Sequence, residues 1–234
     1  MPAVQIMATE DGSFTLYVPE LDETYHSFHG PAQESQHVYI DMGLRYQLAV
    51  QPIQPLQILE IGFGTGLNVL LTWQHMRNDH HRIDFTTLEP FPLDLSVIDQ
   101  LAYVKKIARS TEEEAKMQEL NQRLHMCEWE EPVAIDEWFH FTKWPLKFED
   151  FKPQEYTYDL VYFDAFAPNK QAELWEIPVL EKLYSIMKPG AALVTYCAKG
   201  QFKRDLKMVG FDVDVLAGPP GKYQMVRAIK PTVM

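Results

Sequence analysis

The sequence has 234 residues, of which 46% are hydrophobic and 23% charged, which is the profile of a globular protein with a large core. A net charge of −12 argues against a protein that coats nucleic acid non-specifically, because phosphate binding depends on clustered basic residues. The sequence shows no basic stretch followed by an apolar core and a small-residue cleavage site, and no apolar run of the ~18 residues that a membrane span needs, so we expect neither a secretion signal nor a membrane span. Cys127 and Cys197 lack the spacing of a zinc site. We therefore expect a cytoplasmic protein that binds no membrane and no metal.

The first 50 residues predict a small β extension. Residues 4–8 and 14–18 are β-prone runs separated by Asp11-Gly12, a turn signal, so we expect a hairpin there. Residues 51–55 then alternate proline with other residues. We place a boundary near residue 50, with the N-terminal β extension in 1–50 and the main domain in 51–234.

The main domain alternates short apolar runs with helical stretches, which favours parallel strands joined by helical crossovers. The predicted strands are 57–61, 83–88, 138–144, 158–163 and 191–197, and the predicted helices are 66–77, 173–187 and 200–208. Strands 211–216 and 223–229, joined through Gly218-Pro219-Pro220-Gly221, predict a hairpin and therefore an antiparallel edge. Residues 93–131 are predicted as a helical insertion, with Ser110 or Thr111 as a helix cap.

A glycine-rich turn after the strand at 57–61 is the strongest chemical signal. It reads Glu60-Ile61-Gly62-Phe63-Gly64-Thr65-Gly66 and leads into a helix that begins with Leu67-Asn68. Glycines let the backbone approach a ligand closely, and free N–H groups at the helix start offer donors. The pattern resembles the first motif of Rossmann-like S-adenosylmethionine-dependent methyltransferases. A dinucleotide-binding dehydrogenase is disfavoured, because its third glycine comes three residues after the second.

Two further acidic residues stand where predicted strands end. Glu89 follows the strand at 83–88, and a carboxylate there is able to accept hydrogen bonds from both ribose hydroxyls of an adenosine. Asp164 follows the strand at 158–163 and begins Asp164-Ala165-Phe166-Ala167-Pro168. Since ligands bind at the carboxyl edge of open α/β sheets, Asp164 is the best candidate for a catalytic carboxylate.

These motifs together resemble one family, the methyltransferase half of the bifunctional tRNA 5-methylaminomethyl-2-thiouridine biosynthesis enzymes. The resemblance is carried by the glycine-rich turn, by Glu89-Pro90-Phe91-Pro92-Leu93, by the Asp164–Pro168 loop and by Gly218-Pro219-Pro220-Gly221-Lys222. Tyr25-His26-Ser27 and Glu34-Ser35-Gln36-His37-Val38-Tyr39 extend it to nearly the whole chain.

The resemblance implies a Rossmann-like α/β fold with a seven-stranded, mostly parallel sheet, an antiparallel C-terminal strand and a small N-terminal β unit. It implies S-adenosylmethionine as the cofactor and the aminomethyl group of a tRNA wobble uridine as the acceptor, with Asp164 orienting the amine. The residues expected to bind the cofactor are Glu60, Gly62, Gly64, Thr65, Gly66, Asn68, Glu89 and Asp164. Those expected to bind the substrate are Tyr25, Phe166, Lys170, Lys199 and Lys222.

The bifunctional members of this family carry a second, flavin-dependent oxidase domain. Because this sequence ends soon after its last predicted strand, we expect a stand-alone methyltransferase with a separate oxidase as a candidate partner. Two alternatives stay open. One is a methyltransferase for a small-molecule or protein acceptor, which the acidic charge suits. The other is a non-catalytic domain that binds S-adenosylmethionine and serves as a partner of an oxidase.

Overall fold

An eight-stranded sheet runs through the structure, a computed structural model in which residues 3–232 are described. Its strands are β4 (Leu56–Ile61), β5 (Ile83–Leu88), β6 (Val133–Ala134), β7 (Phe139–Trp144), β8 (Tyr158–Phe163), β9 (Met187–Thr195), β10 (Asp212–Ala217) and β11 (Gln224–Ile229). They lie in the order β10-β11-β9-β8-β4-β5-β7-β6 across the sheet.

The sheet is mostly parallel, as predicted. The central strands β9, β8, β4, β5 and β7 pair in parallel, whereas β11 pairs antiparallel with both β9 and β10. The predicted C-terminal hairpin is confirmed. The predicted count of seven strands is one too low, because β6 also joins the sheet, antiparallel to β7. With two residues, β6 is too short to give a period-2 pattern in the sequence.

Helices cover both faces of the sheet and bury alternate residues of each strand. Ile58 and Phe85 face a core completed by α3 (Leu67–Met76) and α6 (Thr111–Met126). Leu59 and Val161 face a second core completed by α7 (Ile177–Ile186) and α8 (Gly200–Val209). Burial on both faces explains why the central strands read as continuous apolar runs.

The N-terminal segment is only partly β. Strands β1 (Gln5–Ala8), β2 (Phe14–Val18) and β3 (Glu23–Thr24) form a separate antiparallel sheet, which includes the predicted hairpin. A helical segment follows, however, from α1 (Pro31–Ser35) through a π-helical stretch (Gln36–Leu44) into α2 (Arg45–Val50).

This helical segment packs on the main sheet. A Cβ on Gly43 would lie 2.8 Å from Val194 Cγ2, so glycine there permits a close helix-to-sheet approach. Val38, Tyr39 and Leu44 are buried against the same core as α3. The β extension predicted for residues 1–50 is therefore replaced by a helix in its second half, where tertiary burial outweighs a polar and aromatic local composition.

The segment predicted as a helical insertion contains α4 (Leu95–Ile98), a 3₁₀ turn (Asp99–Leu101), α5 (Tyr103–Ile107) and α6. Ser110 is the N-cap of α6, and its hydroxyl accepts a hydrogen bond from the Glu113 N–H at 3.2 Å. Across residues 3–232, we find no helix with the length and apolar character that crossing a membrane requires.

Candidate functional site

A cavity of about 710 Å³ lies at the carboxyl ends of β4, β5 and β8. The chain order reverses between β4 and β8, and this reversal is where open α/β sheets bind ligands. Many residues predicted for the site line the cavity, namely Tyr25, Gly62, Gly64, Thr65, Glu89, Asp164, Phe166, Lys170 and Lys222. Glu60, Gly66, Asn68 and Lys199 do not line it.

The glycine-rich turn between β4 and α3 forms one wall of the cavity. Gly62, Gly64 and Gly66 have φ values of 96°, 49° and 76°, in the region that disfavours other residues. The N–H groups of Gly62 and Phe63 both donate to Leu88 O at 3.1 Å, which ties the turn to the end of β5. A Cβ on Gly62 would lie 2.6 Å from the carbonyl oxygen of Asp164, so only glycine fits between the ends of β4 and β8.

Glu89 joins the end of β5 to the glycine-rich turn. Its Oε2 accepts a hydrogen bond from Gly64 N at 2.9 Å, and its Oε1 accepts one from Phe91 N at 2.8 Å. Burial raises the pKa of Glu89, and the two N–H donors partly oppose that rise. Because each carboxylate oxygen has two lone pairs, both oxygens keep capacity for a further donor at the cavity wall.

Glu60 lies beneath the turn and is fully buried. Its Oε2 accepts a hydrogen bond from Thr87 Oγ1 at 2.6 Å, and burial raises its pKa well above the ordinary value. Within residues 3–232, Glu60 Oε1 and Asn68 Oδ1 are buried without a hydrogen-bond partner. Asn68 also lowers the pKa of Glu60 as a hydrogen-bond donor, so the two side chains belong to one polar cluster beneath the turn.

Asp164 is held by hydrogen bonds to both of its carboxylate oxygens. Tyr39 Oη donates to Oδ1 at 2.6 Å, and Asn68 Nδ2 donates to Oδ2 at 2.8 Å. Burial raises the pKa of Asp164 to about 6, against the lowering effect of these two hydrogen bonds. The predicted cofactor residue Asn68 thus acts on Asp164. A fixed carboxylate with a pKa near neutrality suits proton transfer.

The predicted substrate residues are aromatic and basic, and all of them except Lys199 line the same cavity as Asp164. The rings of Tyr25 and Phe166 meet edge to face at 5.2 Å between centroids. Lys170 Nζ lies 3.7 Å from Asp22 Oδ2. Lys199, outside the cavity, donates from Nζ to Asn169 Oδ1 at 3.1 Å. The structure thus brings together the predicted aromatic residues but separates Lys199 from them.

Sequence reasoning did not assign roles to His26, Glu34 or Tyr39, although their segments carried the family resemblance. The Tyr39 hydroxyl reaches Asp164 across 125 positions of sequence, and Glu34 lines the cavity. No local spacing predicts such contacts, because they depend on how the N-terminal helical segment packs on the sheet. The only available signal was the similarity of residues 25–39 to the family.

Two histidines, the buried His26 and the partly buried His125, hold Thr65 of the glycine-rich turn. His26 Nε2 lies 2.9 Å from Thr65 Oγ1, and His125 Nε2 donates to Thr65 O at 3.3 Å. Burial lowers the pKa of both histidines to about 4. Both rings are therefore neutral in the folded protein at pH 7, and the turn is fixed by uncharged partners.

These histidines predict a loss of stability in mild acid. An unfolded histidine binds a proton near pH 6.5, so the unfolded state binds more protons than the folded state between pH 6.5 and pH 4. Above pH 6.5 the two histidines cause no loss in the free energy of unfolding. Below pH 6.5 this free energy falls, and at pH 5 it is lower by about 2 kcal/mol per histidine. Urea denaturation at pH 7 and pH 5 measures this decline.

The carboxyl groups with raised pKa values increase the free energy of unfolding as the pH falls over the same range, which opposes the effect of the histidines. Histidine variants are therefore needed to isolate the histidine effect. His26→Gln and His125→Gln should each reduce the acid sensitivity relative to the wild type. His80→Gln, at an exposed position, serves as the control. Equal acid sensitivity in all four proteins would contradict the assignment of neutral rings to the folded state.

Curated relatives match this chain over most of its length. A tRNA 5-methylaminomethyl-2-thiouridine biosynthesis bifunctional protein from Cupriavidus necator is 31% identical and covers 97% of this chain. One of the same name from Leptospira interrogans is 28% identical and covers 94%. The chain spans about a third of the length of these relatives, 34% in both cases.

The fold also resembles a solved structure. The crystal structure of MnmC2 from Aquifex aeolicus superposes with a TM-score of 0.75 and 20% identity, covering 100% of this chain and 73% of that one. A family model described as S-adenosyl-L-methionine-dependent methyltransferase matches residues 112–231, just over half of the chain. The chain belongs to this family of S-adenosyl-L-methionine-dependent methyltransferases.

Proposed function

We propose that this methyltransferase methylates the aminomethyl group of a modified uridine at the wobble position of tRNA. The observation that carries the proposal is Asp164, a carboxylate fixed by Tyr39 and Asn68 beside a cavity with aromatic walls. The names of the curated relatives refer to biosynthesis of a methylaminomethyl-uridine in tRNA. We assign the reaction to the cytoplasm, with a flavin-dependent oxidase as the partner that supplies the free amine.

The charge of the cavity suits cationic ligands. Its lining contains seven carboxylates (Glu20, Glu23, Glu34, Glu89, Glu149, Asp164 and Glu173) and three lysines (Lys147, Lys170 and Lys222). S-adenosylmethionine supplies an electrophilic methyl group on a positively charged sulfonium. An ammonium group on the acceptor carries the same sign of charge, so one acidic cavity serves both reactants.

The glycine-rich turn and Glu89 fit the adenosyl cofactor. Gly62 and Gly64 line the cavity with backbone atoms alone, and Glu89 retains unused lone pairs for two ribose hydroxyls. Glu60 lies fully buried below the same turn, and its hydrogen bond with Thr87 ties the end of β4 to β5 beneath the cofactor site. We assign these residues, with Thr65 and Gly66, to cofactor binding.

Asp164 acts on the acceptor amine. An alkylamine has a reference pKa of about 10.4, so it is mostly protonated near neutrality, whereas only the neutral amine has a lone pair for attack. The ionised carboxylate of Asp164 accepts a hydrogen bond from the amine and takes its proton, leaving the nitrogen lone pair aligned with the methyl group. Tyr39 and Asn68 are positioning residues, because they fix both oxygens of Asp164.

The aromatic and basic side chains complete the substrate site. We assign Tyr25 and Phe166 to stacking on the uridine, a contact worth about 1–3 kcal/mol per base. Lys170, Lys199 and Lys222 are assigned to phosphate contacts at the cavity rim and beyond it.

The direct test is transfer of labelled methyl from S-adenosylmethionine to tRNA that carries 5-aminomethyluridine at the wobble position. Unmodified tRNA of the same sequence is the matched control. We expect label only on the modified tRNA, and release of the labelled nucleoside by digestion identifies the methylated base. Cofactor binding without any label on tRNA would refute the acceptor and leave the family assignment intact.

A small-molecule or protein amine is the second candidate acceptor, and the excess of carboxylates in the cavity favours it. The salt dependence of acceptor binding distinguishes tRNA from a small amine. Binding of tRNA weakens steeply between 50 and 200 mM salt when several phosphates are contacted. A small amine would show a far weaker salt dependence.

Glu89→Ala should weaken cofactor binding more than it reduces the rate of methyl transfer at saturating cofactor. The substitution removes the carboxylate assigned to the ribose and frees the Gly64 N–H that it holds. We expect the dissociation constant for S-adenosylmethionine to rise by about 10-fold or more, since a hydrogen bond to a charged group contributes about 1.5–3 kcal/mol. Isothermal titration measures the change. Glu119→Ala, at an exposed position on α6, is the control, and an unchanged affinity in Glu89→Ala would refute the ribose role.

A further inference from the structure

The ammonium group of Lys222 occupies a site inside the cavity. Its Nζ lies 2.9 Å from Glu34 Oε1 and 3.7 Å from the centroid of the Tyr196 ring. A carboxylate on one side and an aromatic face on another are the groups that proteins use to bind ammonium ions. The structure therefore contains a formed ammonium site, occupied by one of the protein's own side chains.

Glu34 has more acceptor capacity than Lys222 uses. Its side chain is only 7% exposed and lines the cavity. The second oxygen, Oε2, is buried and has no hydrogen-bond partner within residues 3–232. Leaving such an oxygen unpaired costs free energy, and this indicates room for a ligand with several N–H donors.

Tyr196 presents a fixed ring. It follows β9 directly, and its hydroxyl donates to Ala165 O at 2.8 Å, which holds the ring beside the Asp164 loop. Strands β8 and β9 are parallel neighbours, so Asp164 and Tyr196 follow adjacent strand ends. The charges of Glu34 and Lys222 also both influence the pKa of Asp164, which agrees with their proximity.

Lys222 is able to leave this site without unfolding its loop. Its backbone N–H donates to Pro219 O at 2.9 Å, and Gly218 N donates to Tyr223 O at 3.2 Å, so the turn is held by main-chain bonds. The lysine side chain is 29% exposed and has a flexible four-carbon stem. Movement of the stem alone therefore vacates the site.

We propose that Glu34 and the face of Tyr196 form the subsite that recognises the ammonium group of the acceptor, and that Lys222 fills this subsite as a displaceable placeholder. The identity of the acceptor as a primary amine on RNA rests on the proposed function. The acceptor enters as R–NH₃⁺ and displaces Lys222. Asp164 then takes one proton to give R–NH₂ and a neutral carboxylic acid. Displaced Lys222 becomes free to contact a phosphate.

The subsite explains selection between related acceptors. A neutral hydroxymethyl group would leave Glu34 without a cationic partner after Lys222 moves, and an unpaired buried carboxylate is costly. A primary ammonium restores both the ion pair and the contact with the aromatic ring. Discrimination therefore depends on charge as well as shape.

Chemical rescue tests the subsite without tRNA. Lys222→Ala vacates the site, and n-propylammonium should then refill it and raise the thermal midpoint by roughly 2–4 °C at near-saturating concentration. 1-Propanol, its neutral analogue, should have no such effect. The wild type and Lys105→Ala, which changes an exposed lysine, should respond weakly to both probes. Equal responses to n-propylammonium in all three proteins would overturn the proposal.

A second set of variants tests whether Glu34 is the carboxylate that binds n-propylammonium. Adding Glu34→Gln to Lys222→Ala should abolish the rescue, whereas adding Glu119→Gln should preserve it. Lys222→Gln, which keeps a polar stem, repeats the experiment with less loss of stability. Rescue that persists in the Glu34→Gln background refutes the subsite.

The tRNA assay on the wild type is run in parallel, so that the two proposals fail separately. Methylation of modified tRNA without chemical rescue would refute the subsite alone. Rescue without methylation of tRNA would support the subsite and refute only the proposed acceptor.

Discussion

Asp164→Asn is expected to reduce methyl transfer by about 10²–10⁴-fold, the contribution typical of a general base, while cofactor affinity changes by less than about threefold. The amide keeps the size of the carboxylate but cannot take a proton from the acceptor amine. The local structure tolerates the change, because the new amide oxygen can accept from Asn68 while its NH₂ group donates to Tyr39 Oη. The defect should therefore appear in turnover rather than in folding.

Single-turnover transfer at saturating tRNA and cofactor measures this effect, and titration calorimetry measures cofactor affinity. Asp212→Asn removes the same charge at an exposed position of β10 and is the matched control. An unchanged single-turnover rate in Asp164→Asn would refute the catalytic role. A loss of cofactor binding equal to the loss of rate would place Asp164 in the cofactor site alone.

The pH profile gives an independent check. Asp164 has a pKa of about 6, and its ionised form is the one that accepts the proton. The rate in the wild type should rise through about pH 6 as the carboxylate ionises, and this limb should be absent in Asp164→Asn. Tyr39→Phe removes one hydrogen bond that stabilises the ionised form, so it should move the limb to higher pH.

The sequence was sufficient to predict the central sheet and one half of the site. Strands buried on both faces leave continuous apolar runs, and the residues directly after them lie at one edge of a parallel sheet. Gly62, Glu89 and Asp164 were found in this way, because each stands just beyond such a run. Their placement needs no information beyond local pattern and the rule for strand ends.

The other half of the site depends on contacts between distant segments. Glu34 and Tyr39 lie on a helical segment whose sequence suggested no helix, and the packing of this segment on the sheet brings them to Lys222 and Asp164. The local hydrophobic pattern of the sequence does not predict these contacts, because they join residues that are far apart in the chain. Lys222 was expected at the substrate site from the family resemblance, but its partner Glu34, on a distant segment, was not.

Glu60 illustrates a different limit. Its position before the glycine-rich turn predicts a role in cofactor binding, and the structure shows its side chain fully buried below the turn, where Oε2 accepts a hydrogen bond from Thr87. Side chains alternate between the two faces of a strand, so a residue near a strand end points either into the cavity or into a helix-covered layer. The motif identifies the residue type, and the register of β4 decides its direction.

Gly62→Ala is expected to have the largest effect of any single methyl addition in the turn. The new Cβ would lie 2.6 Å from the Asp164 carbonyl oxygen, a backbone atom that no side-chain rotation can move away. A residue forced into an unfavourable φ costs about 1–3 kcal/mol, and overpacking costs about 1–3 kcal/mol more. The strand ends would separate, so Asp164 would move together with the glycine-rich turn.

The matched control is Gly12→Ala, at a glycine with a φ of 78° and no atom within 4 Å of the added Cβ. It carries the same type of backbone strain without the contact, so the difference between the two variants isolates the contact between the turn and Asp164. We expect Gly62→Ala to unfold at a clearly lower urea concentration than Gly12→Ala and to bind S-adenosylmethionine at least about 10-fold more weakly. Equal stability and equal affinity in the two variants would mean that the ends of β4 and β8 separate freely, and Asp164 would then not be fixed relative to the cofactor by the turn.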